Sequence, residues 1–194
     1  MKRFVKLLLN FLAWLFLLPI FIVYFIQKQF TQSEKFYYGC AQFVSLFPGT
    51  LGNYIRKEYY KFTLKKCSDT CCICFGTVIS HPGAEIGENV YIGLNCMIAT
   101  VTIGDDTMIG SGVDILDGTK QHSFERLDVP MRLQERKVER VTIGRDCWLG
   151  NRSVIMANVG EGSVIGAGSV VTKDIEPFSV AVGYPARTVR KRNE

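Results

Sequence analysis

The chain has 194 residues, 47% of them hydrophobic and 21% charged, with a formal net charge of +5. That balance excludes a disordered or collagen-like polymer. The charge is unevenly placed: residues 1–66 hold ten Lys/Arg against two Glu, a balance of +8, while residues 67–194 hold thirteen against sixteen Asp/Glu, a balance of −3. A basic, apolar front thus precedes a mildly acidic body. Nucleic acid is not an expected partner, because that requires a basic folded domain.

From Leu7 to Ile26 the chain reads LLLNFLAWLFLLPIFIVYFI, twenty residues with no formal charge and one strongly polar side chain, Asn10. As a helix this run rises about 30 Å, enough to cross the hydrocarbon core. Lys2, Arg3 and Lys6 precede it, and Lys28 and Lys35 follow. No small-x-small cleavage site comes after it, and the run is long for a signal peptide, so a membrane segment is expected. Pro19 predicts a kink or break. Spanning, dipping and in-plane geometries all stay open at this point, and the positive-inside rule keeps the Lys2/Arg3/Lys6 end in the cytoplasm. In residues 36–66 aromatics mix with Arg56, Lys57, Lys61, Lys65 and Lys66. Leu51 to Lys66 predicts an amphipathic helix whose basic face suits an anionic membrane surface.

The body repeats every six residues: IGENVY and IGLNCM from Ile86, IGDDTM and IGSGVD from Ile103, IGRDCW and LGNRSV from Ile143, VGEGSV from Val159 and IGAGSV from Ile165. Each cell opens with an aliphatic residue and then glycine. Its fifth position is small: Val90, Cys96, Thr107, Val113, Cys147, Ser153, Ser163 and Ser169. Ile73 opens a degenerate cell, with Cys74 in the glycine slot. Period six is neither the 3.6 of a helix nor plain alternation. It predicts short flat strands joined by tight turns, three to a triangular coil, stacked in about five coils. Cys96 and Cys147 read as core thiols. Cys67, Cys71, Cys72 and Cys74 do not have a standard zinc spacing.

These cells resemble the hexapeptide-repeat acyltransferases, and among them the O-acetyltransferases of sugars and polysaccharides. The resemblance covers roughly residues 67–190. It implies a mainly β fold, a left-handed parallel β-helix, here with an N-terminal apolar helical membrane segment. It also implies acetyl-CoA as co-substrate, no metal, a saccharide acceptor and a homotrimer with active sites between subunits. Residues 1–66 are then a membrane-association region, with membrane lipid as partner. Residues 67–194 are the acetyltransferase domain, with a loop insertion at 117–140. γ-Class carbonic anhydrases share the implied fold but need three zinc-bound histidines, and this chain has two.

The insertion carries His122, and a loop projecting from a regular scaffold is where function tends to sit. Transfer to a hydroxyl needs a base near neutral pH, which imidazole supplies. The resembling enzymes place their catalytic histidine here, so His122 is the expected general base. His81 reads as a structural turn residue. Asp117 and Glu125 are candidates to orient His122, and Arg126, Asp128, Pro130 and Arg132 to shape the acceptor pocket. The resemblance assigns Trp148 to the active-site wall, and Asn95 stands two residues beyond Gly93, the slot where some relatives carry an active-site asparagine. It puts Asn151 and Ala167 along the pantetheine, Thr172 and Lys173 near the nucleotide, and Arg187 and Arg190 at the phosphates, where guanidinium forks fit.

The cytosolic co-substrate places the catalytic domain on the cytoplasmic face, which disfavours a single clean span. Two other readings remain beside the saccharide one: an acetyltransferase for a small soluble acceptor such as an antibiotic or amino sugar, and a non-catalytic membrane-tethered β-helix scaffold.

Overall fold

The structure is a computed structural model that describes residues 2–192, with side chains described from Leu7 onward. The side chains of the basic flank Lys2, Arg3 and Lys6 lie outside the described ones. Three helices come first: α1 (Lys2–Phe30), α2 (Lys35–Ser45) and α3 (Gly49–Thr63).

The solenoid follows in coils. The first holds β1 (Lys66–Cys67), β2 (Cys72–Ile73) and β3 (Val78–Ile79). The second holds β4 (Glu85–Ile86), β5 (Tyr91–Ile92) and β6 (Met97–Ile98), and the third β7 (Val101–Ile103), β8 (Met108–Ile109) and β9 (Asp114–Ile115). After the insertion come β10 (Val141–Ile143), β11 (Trp148–Leu149) and β12 (Val154–Ile155), then β13 (Val164–Ile165) and β14 (Val170–Val171), then β15 (Ser179–Gly183). Single parallel bridges at Val159 and Ile175 continue the face begun by β1. The count is therefore about six coils rather than five. The extra turn comes from β1, which lies ahead of the recognisable repeat, and from the partial last coil.

Corresponding strands pair in parallel up three faces, so identical cell positions stack. The cell-opening residues Ile86, Ile92, Ile109, Leu149 and Ile165 and the small fifth positions all point into the core. The glycine of each cell exists because the next coil passes too close for a side chain. A Cβ on Gly150 would stand 2.4 Å from the amide nitrogen of Ala167. β16 (Ala186–Lys191) turns back antiparallel on β15 and closes the last edge.

The first edge is closed by α2 and α3. The Tyr37 hydroxyl donates to the Ile79 carbonyl at 2.9 Å, and the Ile79 amide donates to the Tyr60 hydroxyl at 2.9 Å. Arg56 donates from Nε to the Ile73 carbonyl at 2.8 Å. Exposed strand edges template aggregation, so capping them is a structural necessity of a solenoid.

This corrects the expected basic face of residues 51–66. α3 ends at Thr63, and Leu64 turns extended. Arg56 and Lys57 point inward: Arg56 donates to carbonyls of the first coil and of the α2–α3 junction, and Lys57 turns toward α1. Lys57 bonds the side chain of Asn10 at 2.9 Å and lies 3.5 Å from Glu58. Lys61 and Lys65 stay partly exposed but are paired, Lys61 with Asp69 and Lys65 with Glu85. The expected break at Pro19 is also absent, and α1 is one helix. Pro19 and Leu15 both face outward, so the single missing bond, at the Leu15 carbonyl, opens onto the surface rather than the packed side.

Candidate active site

The repeat stops after Ile115 and resumes at Val141, and the residues between form a ladder-like excursion. Backbone bonds run from Glu139 to Asp117, Lys137 to Gln121 and Ser123 to Glu135. At the tip, the Gln134 side chain donates to the carbonyls of Arg126 and Val129 at 2.7 and 2.8 Å. A short 3-10 turn, Met131–Leu133, follows Pro130. Arg126 clamps Asp128 at 2.6 Å and holds its carboxyl below the usual range. Lys137 does the same to Glu139.

His122 sits between two rungs of this ladder and is exposed. It lines an open cavity of about 270 Å³ with Lys120, Ser123, Phe124, Glu125, Glu135 and Lys137. An exposed imidazole between hydrogen-bonding side chains can accept a proton from a hydroxyl brought into that space. Among the described residues no side chain bonds the His122 ring.

Asp117 does not orient it. That carboxylate is buried and committed elsewhere: it accepts from the Thr100 amide at 2.8 Å and from Arg136 at 3.3 Å, and lies 3.7 Å from His81 Nε2. The other nitrogen of His81 meets Glu34 at 2.7 Å. His81 therefore links the α1–α2 turn to the root of the insertion, in keeping with a structural part. Arg140 fixes the other root, donating to the carbonyls of Val101 and Gly83. Glu34, Arg136 and Arg140 carried no linear signal, because their partners lie up to 57 residues away.

The remaining predicted site residues lie on the coils rather than on the insertion. Trp148 points outward from β11, paired in register with Met108 and Val164, and is 53% exposed. Asn95 occupies a left-handed corner, φ 53°, equivalent to those of Gly76, Gly112 and Gly168. Asparagine tolerates that conformation, so the turn alone accounts for its presence. Asn151 and Ala167 stack in the corner column after β11 and β13, and the Asn151 side chain accepts from the Ser111 amide at 3.0 Å. Thr172 and Lys173 lie in the corner column from which the insertion springs. Arg187 and Arg190 sit on β16, each folded onto a nearby carbonyl at 2.8 and 3.1 Å. Within one chain the His122 cavity is lined by insertion residues, and none of these eight reaches it.

Comparison with known proteins agrees with the repeat. The family model described as the hexapeptide repeat of succinyl-transferase matches residues 83–116 and 140–173, flanking the insertion. The chain is 41% identical over 116 residues to galactoside O-acetyltransferase of Escherichia coli K12, covering 57% of this chain and 55% of that one. The chain spans about half the length of the curated relatives it matches. A galactoside acetyltransferase solved with coenzyme A superposes with TM-score 0.71 at 28% identity, covering 81% of this chain and 80% of that one. A maltose O-acetyltransferase from Clostridium difficile superposes with TM-score 0.69 at 25% identity, covering 81% and 86%. The repeat, the coils it builds and these likenesses identify a hexapeptide-repeat chain that resembles the sugar O-acetyltransferases of the acyltransferase superfamily.

Proposed function

We propose that the chain is an acetyl-CoA-dependent O-acetyltransferase that acetylates a hydroxyl of a saccharide, lipid-linked or on the path to a surface polysaccharide. The observation that carries this is His122, exposed on a braced insertion at the place where the repeat is interrupted. His122 takes the proton of the acceptor hydroxyl, and that oxygen attacks the thioester carbonyl. Backbone N–H groups stabilise the tetrahedral oxyanion. The imidazolium then returns the proton to the departing thiolate, so no covalent enzyme intermediate is needed.

The working unit in this reading is a homotrimer with each site shared between copies. Its support is that the His122 cavity is lined by insertion residues alone, with Trp148 on β11 not among them. Trp148 and Asn95 then serve the wall, Asn151 and Ala167 the pantetheine, Thr172 and Lys173 the nucleotide, and Arg187 and Arg190 the phosphates. Residues 1–66 associate with membrane and residues 67–194 are catalytic, on the cytoplasmic face. Support for the membrane comes from the hydropathy of Leu7–Phe30 and the exposure of its apolar side chains.

The test is CoA release from acetyl-CoA in the presence of a saccharide panel that includes lipid-linked sugars, with product mass as a second readout. His122→Ala is expected to lower turnover by about 10²–10⁴-fold with acetyl-CoA binding retained. Full activity in that variant refutes the mechanism. Failure of the intact chain to bind acetyl-CoA favours the scaffold reading.

A further inference from the structure

We propose that α1 lies flat in one leaflet of the bilayer, across the capped end of the solenoid, and does not span. This rests on the membrane association proposed above and settles its geometry. The first observation is where the ends of α1 lie. Leu7 and Asn10 share a cavity with Asp69 and Thr70, polar residues of the first coil. Gln27 and Lys28, near the other end, share one with Glu34 and Pro82, at the corner that leads into the second coil. A spanning helix has its ends on opposite sides of a hydrocarbon core of about 30 Å. Here both ends rest beside polar corners of the same soluble body.

The second observation is how α1 is held between those ends. Ala13, Leu17, Phe21 and Tyr24 form one buried stripe. Phe21 meets Phe62 at 5.1 Å between ring centroids, and Tyr24 meets Tyr37 at 6.3 Å. The helix is packed lengthwise on α2 and α3, whose other side caps the first coil. Standing α1 across a bilayer would carry α3 and the first coil, with the Lys61–Asp69 pair that joins them, into hydrocarbon.

The third observation names the occupant of the outer face. Asn10, the one strongly polar side chain of the run, is turned inward to Lys57. The outward side chains, among them Leu8, Leu15, Ile22 and Ile26, are apolar and each about half exposed. A protein partner would be met with roughly one hydrogen bond per 100–200 Å². This face offers no side chain for any, which fits acyl chains. The insertion stands on the third coil, two strand spacings or about 10 Å from the first. A flat α1 therefore holds the His122 loop at a fixed height above the leaflet, beyond the α2/α3 layer and the first two coils.

The test uses the full chain with Trp14→Phe and Trp148→Phe, carrying one reporter at a time: Leu8→Trp, Leu15→Trp, Ile22→Trp or Ile26→Trp. Each variant is bound to vesicles of phosphatidylcholine and phosphatidylglycerol containing lipids brominated at shallow or deep acyl positions. All four reporters are expected to be quenched alike, and more by shallow bromines than by deep ones. Deep quenching at Leu15→Trp and Ile22→Trp with shallow quenching at Leu8→Trp and Ile26→Trp means a span and overturns the proposal. No quenching at any reporter, with protein that fails to float with the vesicles, refutes the membrane association itself.

Discussion

Arg56 donates its Nε proton to the carbonyl of Ile73 across 2.8 Å, binding the third helix to the first coil. Its other donors reach the carbonyls of Val44, Ser45 and Phe47 and the side chain of Asn53. The planar fork serves five acceptors at a junction that excludes water. Arg56→Met should leave several buried carbonyls without donors, each costing about 1–3 kcal/mol. A total loss of about 3–5 kcal/mol is expected, read as a lower thermal midpoint in detergent. Arg56→Lys should recover little, because an ammonium cannot reproduce the fork. An unchanged midpoint for Arg56→Met refutes this account.

The contrast between Arg56 and the repeat shows what the sequence disclosed. The solenoid was legible because every cell repeats one local demand: Ile92, Ile109, Leu149 and Ile165 are buried by the same stacking, one coil after another. A pattern imposed eight times outweighs any single exception such as Cys74. Arg56 and Lys57 obey no repeated rule. Their burial is set by carbonyls on Ile73 and Phe47 and by Asn10, 47 residues from Lys57. A helical wheel therefore paints a basic face that tertiary contacts fold inside. The insertion was legible as an interruption, and so was the position of His122 on it. The bracing by Asp117, Arg136 and Arg140 was not, since each partner lies on a different coil or root.

The glycines offer a graded test of the stacking. Gly150→Ala places a methyl 2.4 Å from the Ala167 nitrogen, with backbone on both sides. Neither coil can yield without disturbing the ladder, so a loss of about 3 kcal/mol is expected. Gly168→Ala meets nothing within 4 Å and is strained only by its φ of +69°. That costs about 1–2 kcal/mol. Denaturant midpoints of the two variants should fall in that order. A larger loss for Gly168→Ala refutes the close-approach argument.

Asp117 governs the insertion from its root. Asp117→Ala removes the acceptor for the Thr100 amide and the partner of Arg136 and His81. The insertion should then open more often, exposing Lys120 and Arg126 to trypsin. Cleavage at those sites is expected to rise at least tenfold, the ratio that about 1.4 kcal/mol of lost local stability produces. Asp117→Asn keeps one acceptor oxygen and should fall between. If the cut rate is unchanged while activity falls, Asp117 acts at the chemistry instead.

A site shared between copies makes a prediction that a self-contained site does not. His122→Ala disables the base while leaving the coil surface around Ala167 intact. Ala167→Glu, a charged side chain in an exposed corner column, should block the co-substrate while leaving His122 intact. Each variant alone is expected to be inactive. Co-expressed, they should form mixed assemblies in which some sites pair an intact histidine with an intact coil, and activity should return. The control is mixing after purification without subunit exchange, which should return none. Steady inactivity of co-expressed variants, with mixed assemblies present by mass, places His122 and the Ala167 corner in the same subunit's site.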